Sequence, residues 1–264
     1  MCLIVIAYRA HPDYPVIIAA NRDEFYARPT RPMAVWDDDP TIVAGRDLEG
    51  GGTWMGISRR GRLAALTNYR EPGRQVPSAP SRGHLVSDFL MGGKSLNQYI
   101  EDVEPRIGDY NGFNLLLSEN GRWLYTSNRA GSPRYLSPGI HGLSNHLLDT
   151  PWPKVRRSCR AVETLLDARR PPDMETLMAV LQDRTIPEDA ELPDTGIGIA
   201  WERRLGAVFI HSPVYGTRAS TVLIAGRDGE VRIRERTFDV NGTTGERGHT
   251  LRLAVDQTSR RGTP

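Results

Sequence analysis

The chain reads as an α+β protein in which two antiparallel sheets pack face to face with helices outside them, a four-layer αββα sandwich. Three observations predict this. Short β-branched runs come in pairs joined by turn residues, the pattern of hairpins. Paired helices interrupt these strands twice. Strands and helices do not alternate one for one, as a doubly wound parallel sheet requires. No linker or internal repeat divides the 264 residues. One domain is therefore expected over 1–264, with a frayed tail at 258–264.

The elements follow in order. Met1-Cys2-Leu3-Ile4-Val5-Ile6-Ala7-Tyr8 and the run 16–24 are strands around a loop that contains Pro12 and Pro15. If they pair as a hairpin centred near Pro12, antiparallel register sets Cys2 opposite residues 20–24. Residues 25–40, proline-rich with three successive aspartates, read as a solvated loop. The glycine-dense stretch 45–52 leads into strands at 53–58 and 62–69, a second hairpin that delivers Asn68 to a strand end. Beyond a proline-rich loop at 71–82, Leu85, Phe89 and Leu90 show helical spacing, and a second helix is expected over 96–103 with Ser95 as its cap. Strands at 113–119 and 122–127 are joined by Asn120-Gly121, a strong hairpin signal. Another strand is expected at 139–145.

Val155, Cys159, Val162 and Leu166 recur at i, i+4, i+7 and i+11, one apolar face of a helix over 152–169. Cys159 is thereby assigned to the core. A helix over 173–183 precedes an acidic loop at 184–198, long enough for a lid. Strands at 207–210, 221–225 and 231–238 complete the pattern.

Composition excludes several functions. A hydrophobic content of 39%, 25% charged residues and a net charge of +2 are those of an ordinary globular protein and give no warrant for nucleic acid. No run approaches the roughly 20 apolar residues of a membrane span, and the start lacks a signal peptide's basic lead. Two cysteines make no disulfide framework, so a cytoplasmic location is expected. Cations are almost all arginine, with Lys94 and Lys154 the only lysines. Gly92-Gly93-Lys94-Ser95 resembles the end of a phosphate-binding loop, but Asp88 stands where its first glycine belongs. The histidines show no i, i+4 pair, so no metal site is expected.

What remains is a set of polar residues at strand ends: Cys2, Arg22, Asp23, Asn68 and Asn145. If Met1 is removed, Cys2 carries a free α-amine beside its thiol. Such an amine has a pKa of about 7.7–8.0 and can serve as a base near neutrality, and a thiol paired with a base is a nucleophile. Equally, Cys2 reads as a small apolar residue opening a buried strand. Asn68 and Asn145 can present amide N–H groups to an oxyanion or cap turns. Arg22 and Asp23 can belong to a site or form a surface ion pair.

These residues carry a resemblance. Met1-Cys2, Asn21-Arg22-Asp23-Glu24, Gly51-Gly52-Thr53-Trp54, Leu66-Thr67-Asn68-Tyr69-Arg70, Tyr110-Asn111-Gly112-Phe113-Asn114, Gly142-Leu143-Ser144-Asn145 and Tyr215-Gly216-Thr217-Arg218 resemble the NRDE, or transport-and-Golgi-organisation protein two, family. That family is similar in turn to cysteine N-terminal nucleophile (Ntn) hydrolases of the penicillin-V-acylase and bile-salt-hydrolase type. The resemblance implies an Ntn-hydrolase-like αββα fold and an amide C–N hydrolase or acyltransferase that needs no cofactor. In it Cys2 matches the nucleophile, Asp23 the carboxylate holding the amine, and Arg22 the arginine beside the sulfur, although the Arg–Asp spacing is shorter here. Asn68 and Asn145 match the amides serving oxyanion and amine, and Arg218 the late arginine. Asn21, Glu24, Trp54 and Tyr69 would support the site or a ligand. The resemblance also implies an alternative, non-catalytic binding and trafficking of haem or acyl-CoA and lipid. In that case Trp54, Tyr69 or Trp152 would form apolar walls, and Cys2, His84, His146 and His211 would be candidate iron ligands.

Overall fold

A computed structural model describes residues 2–166, 170 and 172–253. The expected tail at 258–264, the end of the expected helix at 167–169 and Met1 lie outside the described residues. The elements run β1 (Cys2–Tyr8), β2 (Val16–Phe25), β3 (Thr30–Val35), β4 (Ile42–Asp47), β5 (Met55–Ser58), β6 (Arg62–Asn68), α1 (Gly83–Met91) and α2 (Leu96–Val103). After a 3-10 turn come β7 (Phe113–Glu119), β8 (Arg122–Ser127), β9 (Arg134–Tyr135), β10 (Gly139–Leu143), α3 (Pro153–Leu165) and α4 (Met174–Val180). The described chain ends with α5 (Ile199–Gly206), β11 (Tyr215–Ala225), β12 (Glu230–Asp239) and β13 (Gly242–Arg252).

Alternating side chains on these strands create the layers. A six-stranded sheet runs β10-β1-β2-β11-β12-β13 and a seven-stranded sheet runs β3 to β9 in sequence order. Every pairing between these strands is antiparallel. Ile4, Ile6, Ile18 and Ala20 from the first sheet meet Val43, Met55, Leu63 and Leu116 from the second in a core between them. The outer face of the seven-stranded sheet buries Ala44, Ala64, Leu115 and Leu117 against Leu85, Phe89 and Leu90 of α1 and Ile100 and Val103 of α2. The outer face of the six-stranded sheet buries Val5, Ile17, Ala19 and Val222 against Val162 of α3 and Leu177 and Met178 of α4. The fold is the four-layer αββα sandwich.

Several local expectations need correction. The proline-rich stretch 25–40 holds β3, which contains Pro32 and is admitted because it is the edge of its sheet. Its Met33 N–H, at an irregularity in the pairing, is satisfied at 2.6 Å by Glu235 of the other sheet. The glycine-dense 45–52 overlaps β4. The apolar run 207–210 is buried but forms no strand, while β11 begins at Tyr215, six residues earlier than expected. α5, β9 and β13 were not anticipated; β13 is a polar edge strand, mostly exposed. The single apolar face of α3 is present. Cys159 packs partly buried on Gly142, where a Cβ would fall 2.7 Å from its sulfur.

Candidate active site

The opening hairpin positions the nucleophile candidate. Cys2 pairs with Arg22, followed by Leu3 with Asn21 and Ile4 with Ala20. Cys2 shares strand parity with Ile4 and Ile6, so its side chain lies on the face between the sheets, and Arg22 lies on that same face. The Cys2 carbonyl accepts a hydrogen bond from Ser144 Oγ at 2.9 Å. Burial pushes the thiol above its ordinary pKa, and the Asp23 carboxylate adds to this; Arg22 and the Asp23 N–H oppose them. The thiol is therefore held protonated, and its reaction requires a base.

Arg22 is held from two sides. Its guanidinium lies 4.3 Å from the centre of the Trp54 ring and its Nη2 is 3.4 Å from Asp47 Oδ2. Trp54 reaches this position over Gly45, where a Cβ would stand 2.2 Å from the indole. Only glycine admits so close an approach. Burial pushes Asp47 up, but hydrogen bonds from Arg28 and the Gly50 N–H outweigh it and hold the carboxyl below the usual range.

Asp23 faces the other way, toward α3, in line with Ala19 and Asn21. It is 1% exposed, and Thr217 Oγ1 donates to its Oδ1 at 2.7 Å. The Tyr215 hydroxyl donates to its carbonyl at 3.0 Å. Burial raises the Asp23 pKa, with the cation of Lys154 as the leading opposing influence. Lys154, on α3, is 2% exposed, and its Nζ has no hydrogen-bond partner. Burial pulls its pKa down to about 8. Nearby, Arg70 pairs with Glu202 at 2.6 Å, both almost fully buried, and lies over the Trp152 ring at 4.7 Å. Asn21 is structural: its amide donates to the carbonyls of Leu181 and Val208, and its oxygen accepts Ser220 Oγ.

The structure brings Cys2, Arg22, Asp23, Glu24, Trp54 and Asn68 to the wall of one cavity of about 530 Å³. Loop residues Val76, Pro77 and Pro80 close its far side. A neighbouring cavity of about 560 Å³ shares Glu24, Arg28, Asn68 and Arg82 and continues along Phe25, Ile197, Trp201, Leu205 and Tyr215. The loop 184–198 thus meets the second cavity at Ile197. Asn145, fully buried, does not line either cavity; its amide donates to the Asn68 carbonyl at 2.9 Å and fixes that strand end. Tyr69 stacks on His146, which stacks on Trp152, away from both cavities.

Arg218 is the extra residue where the β11 register shifts between Thr217 and Ala219. The bulge sends its guanidinium to the carbonyls of Phe25, Tyr26 and Arg28, where it clamps the turn after β2. No histidine is among the described residues lining the two cavities. No group of three or more His, Cys, Asp or Glu among the described residues is placed to hold a metal.

Sequence reasoning missed Lys154, Glu202 and Arg82. Arg82 lines both cavities and is anchored by one hydrogen bond to the Gly112 carbonyl at 2.9 Å. A signal existed for Lys154 alone: in a chain that uses arginine almost everywhere, a lysine beside the apolar face of a helix is conspicuous.

The chain is similar to the Transport and Golgi organization protein 2 homologs of Bos taurus and Homo sapiens, at 40% and 38% identity. Each match covers 90% of this chain and 93% of the relative. The Drosophila melanogaster Transport and Golgi organization protein 2 is 28% identical over 90% of this chain and 92% of its own. Among solved structures, the C2A mutant of conjugated bile acid hydrolase from Clostridium perfringens aligns over 97% of this chain and 98% of its own. That alignment has a TM-score of 0.44 and 9% identity. A Caenorhabditis elegans ortholog of N-acylethanolamine-hydrolyzing acid amidase covers 84% and 92%, with a TM-score of 0.43 and 12% identity. The family model described as Transport and Golgi organisation 2 matches residues 1–240 of the 264, and the chain belongs to that family.

Proposed function

We propose that the chain is a cysteine N-terminal nucleophile enzyme, a hydrolase or acyltransferase of an amide C–N bond, with Cys2 as nucleophile once Met1 is removed. The observation that carries this reading is the setting of Cys2. It opens a buried strand at the wall of a cavity of about 530 Å³, and Arg22 lies directly across the hairpin.

In this reading the α-amine of Cys2 takes the thiol proton as the sulfur attacks the carbonyl carbon. The C–S bond forms, the carbonyl π pair moves to oxygen, and the Asn68 amide meets the developing oxyanion. Collapse breaks the C–N bond, and the Cys2 ammonium returns its proton to the leaving amine. Water, or a second amine in acyl transfer, then attacks the thioester and restores the thiol. Asn145 acts through Asn68, whose carbonyl it holds.

Protein purified from its native host and weighed intact should lack one methionine. A panel of chromogenic amides should then reveal turnover that Cys2→Ala abolishes. Retention of Met1, or cleavage indifferent to Cys2→Ala, overturns the reading.

The apolar side of the second cavity, formed by Phe25, Ile197, Trp201 and Leu205, favours a second reading, carriage of an amphiphile such as haem or acyl-CoA. Arg28 and Arg82 at the junction would meet propionates or phosphates. Titration of haem into the protein should then give a saturable absorbance shift at micromolar concentration; its absence counts against haem as cargo.

A further inference from the structure

The end of the sandwich away from Cys2 has an opening of its own between the sheets. β1, 7 residues at about 3.3 Å each, carries the chain roughly 20 Å from one end to the other. There the β1–β2, β5–β6, β7–β8 and β11–β12 turns frame a cavity of about 570 Å³. Its floor is the central core itself: Val16, Ala225 and Val231 from the six-stranded sheet, and Ile57, Leu63 and Trp123 from the seven-stranded sheet.

The opening is preformed. The Tyr8 hydroxyl donates to the Gly121 carbonyl at 3.0 Å, a tie from the first sheet to a turn of the second. Gly61 and Gly121 hold left-handed backbone at φ 84° and 72°, and a Cβ built at either would meet nothing within 4 Å. Glycine leaves the mouth without a side chain at both points.

Its charge is one-sided. Arg9 and Arg227 line the cavity, and among the described residues no aspartate or glutamate does. Elsewhere Arg22, Arg28, Arg62, Arg70 and Arg129 each meet a carboxylate. Among the described residues Arg9 and Arg227 have no such partner: the Arg9 guanidinium lies 5.1 Å from the centre of the Tyr8 ring, and Arg227 Nε donates to the Pro12 carbonyl. Asp228, next to Arg227, accepts the Glu230 N–H at 3.1 Å. Arg9 also holds φ at 52°, where glycine or asparagine sits with less strain, so its guanidinium stands at the mouth against local preference. In the wall, Trp123 is 1% exposed and its indole N–H has no hydrogen-bond partner. Such a donor is open to an acceptor that the chain does not supply.

We propose that this cavity binds a single-chain amphiphile with a carboxylate head, its chain between the sheets and its carboxylate held by Arg9 and Arg227. Guanidinium forks hold a carboxylate bidentately. An apolar floor with a few polar groups converging at the mouth is the usual form of a small-molecule site, and the volume is of the usual size. The cavity shares no lining residue with the two beside Cys2, and the proposal does not depend on the chemistry assigned there.

The test is calorimetric titration of the full chain with decanoate, decanol and acetate. Decanoate should bind saturably, decanol at least about tenfold more weakly, and acetate not at all. Arg9→Asn, which suits left-handed backbone, and Arg227→Gln should each weaken decanoate by about tenfold and lessen its sensitivity to salt. Ala225→Phe, which fills the cavity, should abolish binding. Arg82→Gln, at the Cys2 end, should leave decanoate affinity as it is.

No saturable decanoate binding overturns the proposal, and so does decanol binding as tightly as decanoate. Undiminished affinity in Arg9→Asn and Arg227→Gln does the same, and both positions are exposed, so these variants should fold. Loss of binding in Arg82→Gln, with binding intact in Ala225→Phe, moves the ligand to the Cys2 end and overturns the site.

Discussion

The two helical layers of the sandwich both close on apolar sheet faces but differ in the charge buried beside them. Over the seven-stranded sheet, α1 and α2 bury Leu85, Val86, Phe89, Leu90, Leu96, Ile100 and Val103, an apolar surface closed on an apolar face. Over the six-stranded sheet, α3 and α4 bury Val162, Leu177 and Met178, but α3 also buries Lys154 and Ser158; α5 buries Glu202 against Arg70. Hydrophobic burial stabilises in proportion to area and does not depend on direction. Buried charge is close to neutral at best for stability. Both layers hold the fold through apolar contacts, and the second also accepts a stability cost in buried charge. That difference sets the end of the sandwich that carries Cys2 apart from the rest of the molecule.

The largest expected effect comes from breaking the dry layer. Phe89 is fully buried on α1, and Phe89→Ala should destabilise by about 4 kcal/mol, read by denaturant unfolding. The charged layer should respond nearly as strongly to Arg70→Met, about 3 kcal/mol, because it strands the Glu202 carboxylate. The layers then differ in how they are rescued. A second change, Glu202→Leu, should recover most of the loss in Arg70→Met, whereas the loss in Phe89→Ala is a cavity that removing a charge does not fill. Absence of recovery in the double variant would show that the pair itself stabilises the fold.

The smallest effect belongs at the wet rim of the charged layer. His141 Nδ1 lies 2.8 Å from Asp149, and that hydrogen bond raises its pKa above the ordinary 6.5. A raised pKa means stability that is fully present below the unfolded value and lost as pH rises through the folded one. His141→Gln should therefore cost less than about 1 kcal/mol near pH 5.5 and nothing measurable near pH 9. A cost that grew toward alkaline pH would reverse the assignment.

How much of this was legible in the sequence follows from which contacts are local. The pairing of Cys2 with the 20–24 segment could be read because a hairpin fixes register through its own turn. The sandwich could be read because its hairpins and helix pairs are consecutive. β13 could not, since Gly242–Arg252 is a polar edge that carries no apolar alternation. Residues 207–210 misled for the converse reason. They are apolar and buried, but the Val208 carbonyl is satisfied by the Asn21 side chain, not by a neighbouring strand. Arg218 carries a motif, yet its direction is set by a bulge, which no spacing rule foretells. Lys154, Glu202 and Arg82 acquire their meaning only from partners far along the chain.

The alternation along the opening hairpin has one further consequence. It puts the Cys2 thiol on one side of a sheet and the Asp23 carboxylate with its cation on the other. The main chain between them is a wall one strand thick. Molecules entering the cavity meet the sulfur, while Lys154, buried on the α3 side, stays out of contact with them. An electric field crosses such a wall where solutes do not, and charges sealed behind it are poorly screened by salt. Whatever ligand arrives, and at whatever ionic strength, it finds a residue whose surrounding charges were set before it came.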